Sequence, residues 1–221
     1  IFTDPLDFSI LTPDEVTFMN TYSPYTNLTY HKSFNNRNSE ERFKSYYAVN
    51  ANSKLGFGFF VDYIYGRGMY NNQSTAMFNT GLFSSYLGDK YNMHFIFSYD
   101  NQKLRENGGI TDDRYITDPL SMAEGKKQYS STDIPTMLNK VWNHNTSIHT
   151  FLTHRYNLGF YKEKNDSVET DSINIAREFV PVTSFIHTLE FDKNKRKYIS
   201  QDHAQNQQLF EHNYFGNDST D

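Results

Sequence analysis

The loop Glu106 to Asp118 gathers Glu106, Asp112, Asp113 and Asp118 with Asn107 and the backbone carbonyls of Gly108 and Gly109. Hard cations such as Ca²⁺ take roughly six to eight oxygen ligands from groups of this kind. The spacing is not that of an EF-hand, and acids in glycine-rich loops more often cap or turn the backbone. Arg114 also stands two residues after Asp112, where it can bridge to a carboxylate. Asp112 and Asp113 are therefore only weak calcium candidates, and neither a metal nor any other cofactor is expected. Acyl-hydrolase chemistry would need a serine within hydrogen-bond reach of a histidine. His154 is the only histidine that strand patterning turns outward. Its nearest serine, Ser147, falls on the opposite face, and no G-x-S-x-G elbow occurs. A histidine at a membrane interface, or beside another subunit, accounts better for His154. The carboxylate separation that glycoside hydrolysis requires cannot be read from sequence. No catalytic residue is assigned, and the chain is not read as an enzyme.

A second polar set is more coherent: Lys44, Asp62, Asn92, His94, Asp100, His149, Arg155 and Asn157. Each falls in a segment of alternating character, and side chains alternate between the two sides of a strand. In Leu55–Tyr65, the residues Leu55, Phe57, Phe59, Val61, Tyr63 and Tyr65 share one side, leaving Gly56, Gly58, Phe60, Asp62 and Ile64 on the other. Tyr91–Asp100 repeats this, with Tyr91, Met93, Phe95, Phe97 and Tyr99 opposite Asn92, His94, Ile96, Ser98 and Asp100. A later segment sets Ile148, Leu152, Tyr156, Leu158 and Phe160 against His149, Thr153, Arg155, Asn157 and Gly159. One apolar and one polar face on successive strands is the pattern of a transmembrane β-barrel wall. A charge facing lipid near the midplane costs about 2 to 4 kcal/mol, so Arg155 and the rest of the polar set belong to the lumen. Tyr63, Tyr65, Tyr91, Tyr99 and Tyr156 would form the aromatic girdles. Rings of charge tune pore selectivity. Mixed signs also suit a plugged or self-paired interior, with Asp62 or Asp100 meeting Arg155 or Lys44.

Seven strands are expected: Asn27–Phe34, Arg42–Asn50, Leu55–Gly66, Ser74–Leu87, Tyr91–Asn101, Ser147–Tyr161 and Phe179–Asp192. In the last, both faces are mixed and no side can be assigned. The connections Ala51–Lys54 and Gly88–Lys90 are tight, whereas Asn35–Glu41, Arg67–Gln73 and Gln102–Thr146 are long, a rhythm shared with outer-membrane barrels. Lys162–Glu178 is the exception, a long charged stretch on the short-turn side. Residues 1–26 read as an irregular periplasmic lead-in with a helical turn at Pro13–Phe18 capped by Thr12, residues 27–192 as barrel strands, and residues 193–221 as a loop. No window approaches the roughly 18 consecutive apolar residues of a membrane helix. The mean hydropathy of −0.75 does not oppose a barrel, whose polar lumen and loops dilute the apolar signal. There is no cysteine, and 21 Lys+Arg face 26 Asp+Glu, so no basic excess favours nucleic acid.

Long phrases spread over the chain resemble the putative porin family of the Bacteroidota outer membrane: LTPDEV at Leu11–Val16, SPYTNLTY at Ser23–Tyr30, YIYGRGMYNNQST at Tyr63–Thr75, ENGGITDDRYITDP at Glu106–Pro119 and FLTHRYNLGF at Phe151–Phe160. The resemblance implies an outer-membrane β-barrel of a Gram-negative bacterium with a channel role and no catalytic residues. Its partners would be outer-membrane lipid and lipopolysaccharide, together with other outer-membrane or periplasmic proteins. Family members are longer, and the chain starts on Ile. Seven strands fall short of the even number, at least eight, of a single-chain bacterial barrel, so a fragment of a larger barrel is expected. The leading reading is a porin or channel for passive diffusion of small solutes. The alternatives are a non-conducting barrel subunit that docks partners in a surface assembly, and a secreted β-sandwich that binds glycans through exposed aromatics.

Overall fold

Alternating segments joined by turn-forming residues give neighbouring strands an antiparallel partner in sequence order, and the chain forms one meander. The structure is a computed structural model describing residues 10, 12, 15–33, 39–123, 130–163, 177–202 and 206. Its strands are β1 (Tyr25–Lys32), β2 (Glu40–Asn50), β3 (Leu55–Arg67), β4 (Ser74–Leu87), β5 (Tyr91–Glu106), β6 (Val141–Glu163) and β7 (Arg177–Ser200). They lie in the order β1-β2-β3-β4-β5-β6-β7, every pair antiparallel. Strands β1 and β7 are each paired on one side only, so the sheet is not closed among the described residues. No described helix is long and apolar enough to cross a membrane.

The expected strands are all present, but their ends move. Strand β1 runs from Tyr25 to Lys32, and Phe34, its expected last residue, lies outside the described residues. Strand β5 continues to Glu106 and β6 begins at Val141, because Asn101–Glu106 and Val141–Thr146 pair residue for residue. These polar stems have no apolar alternation to betray them. The expected loop Gln102–Thr146 therefore shrinks. Within it, Gly108 and Gly109 adopt positive φ of 68° and 95°. Backbone bonds from Leu138 N–H to Asn107 and from Met137 N–H to Gly109 zip its two ends together. Two single-turn helices, α1 (Arg114–Thr117) and α2 (Pro119–Met122), follow the glycines. Strand β7 likewise runs past Asp192 to Ser200, so Lys193–Ser200 is strand rather than loop. Most of Lys162–Glu178 and of residues 201–221 lies outside the described residues.

The mixed faces of β7 have a local cause. The register steps between Leu158 and Gly159, which pair with Thr183 and Pro181, so Val182 is an extra residue on β7. A bulge of this kind inverts side-chain parity. Val180 therefore shares a face with Phe160, whereas beyond the bulge Phe185, His187, Leu189 and Phe191 occupy that same face. Pro181 fits here because a bulge leaves an amide out of the ladder.

The short turns are fixed by local hydrogen bonds. Asn52 Oδ1 accepts from the backbone N–H groups of Lys54 and Leu55 at 2.8 and 2.9 Å, and the Gly88 amide bonds to Tyr91 across Asp89 and Lys90.

The buried apolar residues Ala48, Phe60, Phe83 and Ile96 lie on the glycine-bearing face of the sheet, and Val16 packs on them. The reason is a lead-in segment lying across that face. Tyr46 Oη donates to the Thr17 carbonyl. The Phe18 ring meets Phe83 edge-on at 5.5 Å, and the Thr21 amide donates to Asn50 Oδ1 at 3.1 Å. Of the helical turn expected at Pro13–Phe18, Glu15 ends a 3-10 turn. Glu15 N–H bonds to the Thr12 carbonyl and Thr12 N–H to Glu15 Oε2, but Val16–Phe18 is not helical. Pro13 itself lies outside the described residues. Val16, Phe18 and Met19 pack on the sheet, and the chain leaves the helical turn after Glu15.

Glycine is required where this face is crowded. A Cβ at Gly58 would stand 2.2 Å from the Tyr47 carbonyl oxygen and 2.4 Å from Phe83 Cζ. The backbone oxygen cannot rotate away, so Gly58→Val is expected to destabilise the fold by about 1 to 3 kcal/mol. Urea unfolding followed by tryptophan fluorescence of the lone Trp checks this, and an unchanged midpoint would contradict it.

Candidate functional site

Register assigns every residue of the two sequence-derived sets to a face. Lys44 pairs with Asp62, Asn92 with Arg155, His94 with Thr153, Ser98 with His149, Asp100 with Ser147 and Asn157 with Ser184. Lys44, Asp62, Asn92, His94, Asp100, His149, Arg155 and Asn157 thus share the glycine-bearing face. Leu55, Phe57, Phe59, Val61, Tyr63, Tyr65, Tyr91, Met93, Phe95, Phe97, Tyr99, Leu152, Tyr156 and Leu158 share the other, aromatic face. The two differ in burial as well. Phe57 is 47% exposed and Leu82, on the same face, 57%, whereas Phe60 is 4% exposed.

The pairings inside the polar face differ from expectation. Asp62 is held by Arg42, Nε to Oδ1 at 3.0 Å and Nη2 to Oδ2 at 2.6 Å, and not by Lys44 or Arg155. Arg42 sits one step diagonally from Asp62, opposite Ile64. A long side chain reaches a diagonal neighbour easily, and the guanidinium fork grips both carboxylate oxygens where an ammonium offers one point charge. Sequence reasoning missed Arg42. Its signal was its position two residues before Lys44, which puts both on one face. Asp100 meets neither Lys44 nor Arg155. It is 2% exposed, and the nearest basic side chain among the described residues is that of His149, whose Nε2 lies 3.9 Å from Asp100 Oδ2 while its Nδ1 lies 2.7 Å from Asp192 Oδ1. His149 therefore bridges β5 and β7. Both oxygens of Asp100 are buried without a hydrogen-bond partner among the described residues.

Along this face the sheet changes character. At the short-turn end it is apolar and covered by Val16–Thr21, with Phe18 also meeting the His94 ring at 5.0 Å. Toward the long-loop end it carries Arg42, Lys44, Asp62 and Asn79 around a cleft of 430 Å³ that Glu15 and Thr17 also line. The long loops are tied to one another there, Arg105 Nη2 donating to Asn72 Oδ1 at 2.6 Å and Asn72 Nδ2 to Thr136 Oγ1 at 3.0 Å.

His154 lies on the aromatic face, but it is not the only histidine there. His187 stands opposite it with nitrogens 3.1 Å apart, and His144 is further along the same strand. Both were missed because β6 starts before Ser147 and the bulge hid the parity of β7. Ser147 is on the other face.

In the acid-rich loop, Arg114 occupies both oxygens of Asp112, with Nε at 3.1 and 3.0 Å and Nη2 to Oδ2 at 2.6 Å. Asp118 caps α2, accepting from the Ser121 amide at 3.4 Å. Asp113 stands at the N-terminus of α1 without a side-chain cap. Among the described residues no group of three or more His, Asp or Glu side chains is placed to hold a metal ion. The Arg114 contact holds the Asp112 carboxyl down at about 2. A depressed folded value means that the stabilisation from this pair is complete above the ordinary carboxylate range and disappears as pH falls through about 2. A carbon-13 NMR titration is expected to place the Asp112 midpoint near 2. In Arg114→Gln it should return toward the ordinary value, and an unmoved midpoint would refute the assignment.

A family model described as "Putative porin" matches residues 1–221, the whole of this sequence. No curated protein and no solved structure matches it.

Proposed function

Because this chain belongs to the Putative porin family, we propose that it forms part of an outer-membrane β-barrel of a Gram-negative bacterium and provides a passive path for small solutes. The observation that carries this reading is the sorting of side chains by face. Phe57, Phe59, Leu82, Leu152, Leu158 and Phe185 form an apolar aromatic face, and Arg42, Lys44, Asp62, Asn79, Asn92, Asp100, Arg155 and Asn157 share the other. A sheet in lipid needs the first face outward, while a water-filled lumen needs the second inward. The open edges of β1 and β7 belong to the same reading. Unpaired backbone groups are not tolerated in hydrocarbon, so in the membrane both edges pair with further strands.

On this reading Arg42, Lys44, Asp62 and Glu15 are the charges at the cleft, and the Arg42–Asp62 pair leaves Lys44 and Glu15 to set the local sign. The segment Val16–Thr21 would narrow the lumen at its short-turn, periplasmic end. That coverage also supports the alternative, a barrel that conducts nothing and serves as a docking subunit. The two readings separate in a planar bilayer. Purified protein is expected to open ohmic channels, with Lys44→Glu shifting the reversal potential toward cation preference. Phe18→Ala, which removes edge contacts each worth about 0.5 to 1.5 kcal/mol, is expected to raise the conductance. Folded protein that inserts and stays silent in all three forms would eliminate the passive-channel reading in favour of the docking subunit.

A further inference from the structure

We propose that the aromatic face of β5 to β7, at its long-loop end, is a docking surface for the phosphorylated headgroups of lipopolysaccharide. The inference rests on the barrel reading and specifies where on that barrel the anionic lipid sits.

Beyond its bulge, β7 presents Phe185, Leu189 and Phe191 on the aromatic face, and the same alternation then continues as Lys193, Lys195 and Lys197. A tilted membrane strand spans roughly nine to eleven residues. The stretch from Val182 to Phe191 is of that length, so Lys193 emerges at headgroup depth and Lys195 and Lys197 just above it. The neighbouring strands add to the row. Lys197 is the partner of His144, which is the partner of Lys103, and the Lys103 ammonium lies 5.0 Å over the Trp142 ring. Tryptophan at the rim of an apolar band marks an interface.

At the long-loop end of these three strands the acids are confined to one face, where Arg196 donates to Asn143 Oδ1, while the lysines of the row lie on the other. The acidic residues in this region, Asp100, Glu106, Glu190 and Asp192, all belong to the glycine-bearing face by register. None of the four lysines is in an ion pair among the described residues. Neighbouring like charges oppose one another, and the whole chain carries a net charge of −5, so general basicity does not explain the row. Lysines that merely guard a sheet edge against aggregation need neither this restriction to one face nor its continuation inward to Lys103 on β5. An array of phosphates outside the barrel accounts for both: ammonium groups act as point charges toward phosphate, and their stems lie along apolar surface while the heads reach the headgroups.

The test uses the full chain in detergent, with lipopolysaccharide and enzymatically dephosphorylated lipopolysaccharide as probes. Binding is followed by thermophoresis. A lysine near an anionic surface contributes about fivefold, so K193Q/K195Q/K197Q is expected to lose on the order of 100-fold in affinity. Lys103→Gln, which lies away from the sheet edge, is expected to lose about fivefold. Lys54→Gln in the short turn at the other end should bind as the unmodified protein does. Equal binding by the triple variant would overturn the proposal, as would indifference to dephosphorylation. Equally tight, equally lysine-dependent binding of poly-glutamate would also overturn it and point to an acidic protein partner. Integration into liposomes, measured by flotation at high salt, is read in parallel. Protein that integrates but shows no lysine-dependent binding defeats the docking surface alone, whereas protein that never integrates defeats the barrel reading with it.

Discussion

The antiparallel ladder that joins each strand to its sequence neighbours is the constraint on which the other features rest. Its hydrogen bonds satisfy the backbone, and its register decides which side of the sheet each residue occupies. A slip of one residue in any pair would carry Asp62, Arg155 or Asp100 to the face of Phe59 and Leu152. The pairing from Tyr25 on β1 to Ser200 on β7 is interrupted by a register step in one place, between Leu158 and Gly159. Glycines accommodate the close contacts. At Gly58 and Gly159 a side chain would run into a carbonyl oxygen of the neighbouring strand.

The polar face is not uniformly wet. Its short-turn half is an apolar floor, Ala48, Phe60, Phe83 and Ile96, and the lead-in segment lies on it with Val16 and Phe18 as contacts. Its other half is polar, with the Arg42–Asp62 fork and the His149–Asp192 hydrogen bond beside the buried Asp100 carboxyl. Apolar cover and charged pairs thus share one face, and the proposed channel and docking readings differ in how firmly one segment is held and not in the fold. On the aromatic face, the apolar band of β7 passes directly into lysines, giving that face a direction as well as a chemistry.

Much of the fold was legible because strand alternation is strong wherever one face is apolar. Strand β4 was read to the residue, and β3 to within one. The failures share a cause. The stems Asn101–Glu106, Val141–Thr146 and Lys193–Ser200 are mostly polar, with apolar residues too few to alternate, so periodicity gave no reason to continue the strands, although pairing with a neighbour extends them. The mixed parity of β7 was a real signal of the Val182 bulge, but one strand cannot reveal a bulge without its partner. At the site, membership of a face was predictable and partnership was not. Arg42 was passed over because a diagonal contact depends on twist and side-chain reach.

By itself the sequence determined the all-β class, the seven strands of the described residues and the two faces of β3, β5 and the centre of β6, because a period of two is written directly into residue order. Only the tertiary structure decided which charges meet, where the lead-in segment lies, how far the long loop is drawn into strand, and that three lysines continue the apolar band of β7. Those features depend on register between strands and on packing across the sheet, which join residues far apart in the chain and leave no periodic trace within either partner.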